Sequence, residues 1–174
     1  MVATLPEITA LLGAPRFNWS DPAPWTTLER ELETEFPADF REIVDAYGSV
    51  QINNQLYLTH PAGHLLHSLG AGIKDDLALW AEEDMAEFLP SPVGGAPGEL
   101  IPVASATTGE AIFLAVPEQP SSAWRVVVQE FDSPAWTLYE MTFSDWFLAY
   151  LKGRDVTLCS RNFAPEGPFW EFLP

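Results

Sequence analysis

Between Trp25 and Tyr47 the apolar residues recur at steps of three and four, and beyond Gly48 they recur at every second position. A chain whose apolar period switches from helical to extended cannot be all helix or all strand, because each period gathers its apolar side chains on a different kind of face. The arrangement that buries both is helices stacked on a sheet. Trp25, Leu28, Leu32 and Phe36 predict one helix, with Asp21 as its cap and Pro22 and Pro24 in its first turn. Pro37 opens a further helix in which Phe40, Ile43, Val44 and Tyr47 share a face, and Gly48 stands where a left-handed cap belongs. Ahead of both, Leu5, Ile8, Leu11 and Leu12 predict a short amphipathic helix ending at the Gly13–Pro15 break.

Past the switch, Val50 and Ile52 alternate with polar residues, Asn53-Asn54 can take the positive φ of a tight turn, and Leu56 and Leu58 resume the alternation. This is a β-hairpin pattern. Leu66, Leu69, Ile73, Leu77, Trp80 and Phe88 return to helical spacing over 65–89, with Gly70 and Gly72 as places where that helix could split. The stretch Pro90–Gly98, with three prolines and three glycines, reads as a surface connection within one domain spanning 1–174. Strands are expected at Leu100–Ala104, Ala111–Val116 and Trp124–Phe131, with an edge strand at Trp136–Tyr139. Thr142 and Asp145 make a capping-box-like start to a last helix that buries Phe143, Trp146, Phe147, Tyr150 and Leu151 and ends at Gly153. The aromatic, proline-rich tail from Phe163 to Leu173 should pack on the domain, and the tryptophans read as core. The fold class expected is therefore α+β: one mainly antiparallel central sheet flanked by helices. No internal repeat or low-complexity segment is present.

Charge narrows the partners. Eight Lys plus Arg face 25 Asp plus Glu, a formal net charge of −17, in a chain whose 47% hydrophobic content argues against disorder. Such a field repels phosphate backbones and anionic lipid headgroups and attracts cationic surfaces. Direct nucleic-acid or membrane binding is not expected, and a basic protein partner is. Two acidic groups stand out: Asp75, Asp76, Glu82, Glu83, Asp84 and Glu87 on the polar side of the 65–89 segment, and, as second choice, Glu29, Glu31, Glu33 and Glu35 opposite the Trp25 stripe. The N-terminal stretch has no Lys or Arg and no uninterrupted apolar run, and no later segment is long and apolar enough to span a bilayer, so a cytoplasmic location is expected.

Catalytic patterns are weak. His60, His64 and His67 cluster, and with a carboxylate such as Asp75 they would be the starting point for a metal-dependent hydrolase. Pro61-Ala62-Gly63 interrupts any helix between the first two, and no HExxH-type spacing occurs, so these residues read instead as partly exposed loop histidines. Ser49, Ser68 and Ser105 lack a G-x-S-x-G setting, the single cysteine Cys159 reads as an inert thiol, and Gly94-Gly95 with Gly98 lacks the lysine of a phosphate loop. No residue is assigned a catalytic or metal-binding role and no cofactor is expected.

The order of signals carries a resemblance. Trp25-Thr26-Thr27-Leu28-Glu29-Arg30-Glu31-Leu32, Phe36-Pro37-Ala38-Asp39-Phe40 and Asp45-Ala46-Tyr47-Gly48 precede a hairpin. Gly98-Glu99-Leu100-Ile101-Pro102, the turn Thr108-Gly109-Glu110, Trp124-Arg125-Val126-Val127-Val128 and Phe143-x-x-Trp146-Phe147-Leu148 follow. From about Trp25 to Gly153 this set resembles the SUKH superfamily, which includes immunity proteins of bacterial polymorphic toxin systems and fungal cell-wall-synthesis regulators. The family often carries an Asn-Gly-Asp-like turn where this chain has Thr108-Gly109-Glu110, and Ser91–Pro97 matches no family motif. The resemblance implies a helix-flanked central sheet without catalytic residues, and direct neutralisation of a cognate, often nuclease, toxin. A regulatory or scaffold module of the same fold is the alternative it leaves open.

Overall fold

The structure, a computed structural model, describes residues 2–130, 133–158 and 163–174. Among these the chain forms α1 (Leu5–Leu12), α2 (Ala23–Leu32), α3 (Ala38–Tyr47), β1 (Val50–Ile52), β2 (Leu56–Leu58), α4 (Leu69–Trp80), α5 (Glu83–Ala86), β3 (Leu100–Ala106), β4 (Ala111–Ala115), β5 (Arg125–Gln129), β6 (Trp136–Tyr139), α6 (Phe143–Leu151) and β7 (Trp170–Phe172). The strands build one sheet in the order β6-β5-β4-β3-β2-β1-β7, every neighbouring pair antiparallel. The expected α+β architecture is the one observed.

Strand alternation gives the sheet two unlike faces. The first, with Val50, Ile52, Leu56, Leu58, Ile112, Leu114, Val126 and Val128, merges with the buried residues of α1, α2, α3 and α6 in the larger core. Phe40 of α3 meets Phe143 of α6 edge-on at 4.8 Å, and Asp39 Oδ2 accepts from the Ser144 N–H, joining the two helices at their starts. The second face holds a smaller cluster in which Trp80 stands edge-on to Phe113 at 5.4 Å beside Leu89, Leu100 and Val127. Met85 and Phe88 pack against it, which seats α5 there.

Local rules account for most boundaries. Asp21 Oδ1 accepts from the Ala23 N–H at the start of α2, and Thr142 Oγ1 accepts from the Asp145 N–H at the start of α6. Asn53 and Asn54 take φ of 54° and 55° in the hairpin turn, as their side chains allow. Gly48 has φ 78° with ψ −152°, a positive-φ cap but not the left-handed helical one expected. A Cβ there would lie 2.7 Å from the Phe17 ring, so the position demands glycine on both counts.

Several expectations need correction. α2 stops at Leu32 because Glu33 turns left-handed at φ 55°; Phe36 still reaches the core, but from the following turn. The 65–89 segment is not one helix: a single 3₁₀ turn (Leu65–His67), α4 and α5 are separated at Ser68 and at Glu82, where extended ψ angles of 131° and 139° interrupt it, and not at Gly70 or Gly72. Leu66, placed on the buried stripe, is 82% exposed in that 3₁₀ turn. The tail does more than pack. Asn53 and Phe169 exchange hydrogen bonds and β7 pairs along β1, adding a seventh strand that three residues flanked by Pro and Gly did not announce. Trp25, Trp80 and Trp146 are core, whereas Trp136 is 42% exposed. Phe131 of the expected third strand and Cys159 lie outside the described residues. Among those described, no helix is long and apolar enough to cross a membrane.

Candidate functional site

The first acidic group occupies α4, whose Leu69 and Ile73 join the larger core and whose Trp80 joins the smaller one, and α5, which is seated on the smaller one. Asp75 lies on α4, Glu82 caps α5, Glu83 and Asp84 form its first turn, and Glu87 follows its end; all five are exposed. Carboxylates in the first turn complement the helix dipole, whereas Glu87 works against it. Asp76 is half-buried against β2 and β3, and that burial, with the adjacent Asp75 charge, raises its carboxyl above the ordinary range. Among the described residues none of the six carboxylates is within ion-pair distance of a Lys or Arg.

The second acidic group does not survive as one surface. Glu29 turns inward: its side chain is 13% exposed, accepts from the Phe36 N–H at 3.0 Å and pairs with Arg41 at 3.3 Å. It fixes the turn between α2 and α3 and is not free for a partner. Glu31, Glu33 and Glu35 are exposed, but Glu33 and Glu35 lie beyond the end of α2. Glu31 shares a shallow pocket with Lys74, which brings α2 alongside α4 and sets Glu31 near the first group.

The histidines separate. His60, expected as a partly exposed loop residue, is fully buried, while His64 is exposed and His67 half-buried. His60 Nε2 lies 2.9 Å from Asp45 Oδ1, and its Nδ1 accepts from the Ala62 N–H at 3.0 Å. A ring nitrogen that accepts from a backbone N–H carries no proton, so the other nitrogen bears it and donates to the carboxylate. The same Asp45 Oδ1 accepts from Trp25 Nε1 at 2.7 Å. Phe17, Trp19 and Trp25 surround the imidazole with ring centroids at 5.0, 5.3 and 5.9 Å. Burial pushes the His60 pKa down and outweighs the opposing pull of Asp45. With both nitrogens engaged, His60 has no lone pair for a metal. Among the described residues no three His, Cys, Asp or Glu side chains converge on one point.

This network is what reasoning from sequence missed; the one available signal was an aspartate set between the apolar Val44 and Ala46 in the last turn of α3. Asp45 is 29% exposed and forms part of an open groove of about 740 Å³ that is also lined by Trp19, Glu35, Phe36, Arg41 and Glu42. The groove offers carboxylates, a guanidinium and an indole, but its lining contains no hydroxyl or thiol that Asp45 could activate. Comparison of the chain with protein-family models, with curated proteins and with solved structures finds no match.

Proposed function

We propose that this chain is an immunity-type binding protein that neutralises a cognate toxin, a cationic and nuclease-like one, by direct contact. The observation that carries the proposal is the set Asp75, Asp76, Glu82, Glu83, Asp84 and Glu87: six carboxylates on α4 and around α5, without cationic partners among the described residues, on a chain of net charge −17. The five exposed carboxylates, left unpaired, keep their attraction for an outside cation, while half-buried Asp76 adds less. A nuclease holds phosphates with Lys and Arg, so a ridge of this kind matches the surface it must cover, speeds encounter and blocks substrate. The α+β fold agrees with what the SUKH resemblance implies, and that resemblance supplies the toxin as partner.

Co-expression with the product of the adjacent reading frame tests the proposal. Rescue of growth together with a salt-sensitive complex is the expected result. A neighbour that is neither toxic nor bound transfers the acidic ridge to the alternative, a regulatory or scaffold module of the same fold.

A further inference from the structure

Among the described residues β6 is the last strand of the sheet on its side, so half of its backbone groups have no described strand beside them. Which half follows from register. The Glu130 N–H donates to the Ala135 carbonyl at 3.0 Å, so that pair is of the hydrogen-bonded kind, and in an antiparallel ladder the kinds alternate. Val128↔Thr137 and Val126↔Tyr139 are then bonded pairs, and Gln129↔Trp136 and Val127↔Leu138 are not. The N–H and C=O groups of Trp136 and Leu138 therefore point outward from the sheet. The side chains of the same two residues, 42% and 37% exposed, lie on the second face beside Val127. Edge strands are normally blunted by proline, lysine or a bulge, and Trp136-Thr137-Leu138-Tyr139 has none of these.

The surroundings select the occupant. Glu118, Glu130 and Glu140 stand around the edge, and among the described residues the one cation lining the adjoining pocket, Arg125, is already paired with Glu140 at 3.0 Å. α5, with Glu82, Glu83, Asp84 and Glu87 about it, is rooted through Met85 and Phe88 in the cluster that contains Val127, the register partner of Leu138. A second copy of this chain would bring another charge of −17 against the same edge. From this we infer that β6 is a strand-addition site for an extended segment of a cationic partner protein, with apolar side chains set against Trp136 and Leu138 and basic ones reaching the surrounding carboxylates. The inference rests on the basic-partner reading above and adds where and in what conformation the partner docks.

The test titrates isotope-labelled protein with a short peptide alternating valine and lysine, and separately with one alternating valine and glutamate. The basic peptide is expected to shift the amide signals of Trp136 and Leu138, to protect them from exchange, and to bind at least about tenfold more tightly than the acidic one. Leu138→Pro deletes an N–H that faces away from β5, so the fold is kept while affinity falls about tenfold. Should that proline disturb the fold, Trp136→Thr removes the exposed indole and keeps a strand-forming residue. Binding that survives both substitutions but disappears on reversing Glu82, Glu83 and Asp84 overturns strand addition and leaves the basic-partner reading standing. Binding lost in Leu138→Pro yet indifferent to that reversal keeps the docking site and removes the ridge. Absence of binding by either peptide, equal binding by both, or dimerisation of the chain that Leu138→Pro abolishes, overturns the inference.

Discussion

Asp45→Ala should destabilise the protein far more than the partial exposure of that aspartate suggests. One oxygen, Asp45 Oδ1, accepts from both Trp25 Nε1 and His60 Nε2, and the side chains of those two donors are buried. Each buried donor left without an acceptor costs about 1–3 kcal/mol. Water entering from the groove can recover part of that, since Asp45 is 29% exposed, so the expected loss is about 2–4 kcal/mol for the pair. For a chain of 174 residues a loss near 3 kcal/mol lowers Tm by about 6–12 °C. Asp45→Asn keeps a carbonyl oxygen able to take both bonds and should cost about 1 kcal/mol or less. Urea unfolding of the three proteins, compared by midpoint at constant slope, reads the difference. If alanine costs under about 0.5 kcal/mol, or asparagine costs as much as alanine, the buried donors are not the reason Asp45 is there.

Three further outcomes follow from other parts of the molecule. Burial lowers the folded-state pKa of His60 below its ordinary 6.5, so the unfolded chain takes up a proton first; the stability from this residue is complete above pH 6.5 and declines as pH falls below it, and His60→Gln should flatten that slope in unfolding measurements across the window. Gly48→Ala places a Cβ on the Phe17 ring at positive φ and should cost about 1–3 kcal/mol in the same assay; a neutral result would mean that Phe17 and the α3 end relax freely. Reversing Glu82, Glu83 and Asp84 to lysine should slow association with a cationic partner at least about tenfold at low salt and reduce its salt dependence, and unchanged stopped-flow rates would remove the ridge from the interface.

Sequence alone determined the elements whose evidence is local. The stripe Phe40, Ile43, Val44 and Tyr47, the turn at Asn53-Asn54 and the Thr142 cap ahead of Phe143 each lie within a few residues of the feature they specify, and all are found as read. Periodicity also separated helix from sheet, since an apolar residue placed at the wrong step would face water. Only the tertiary structure decided which partner each element meets. Leu66 and Trp136 carry apolar side chains at regular spacing, yet the 3₁₀ turn and the sheet edge leave them exposed. Glu29 looked like one more surface carboxylate until Arg41 and the Phe36 N–H were brought to it. Asp45 and His60 meet across a strand hairpin, and Trp170 pairs with Ile52 from the far end of the chain. Such contacts join residues whose spacing along the chain carries no period. They are settled by how the packed elements bury their polar atoms together, which is a property of the whole fold and not of any segment.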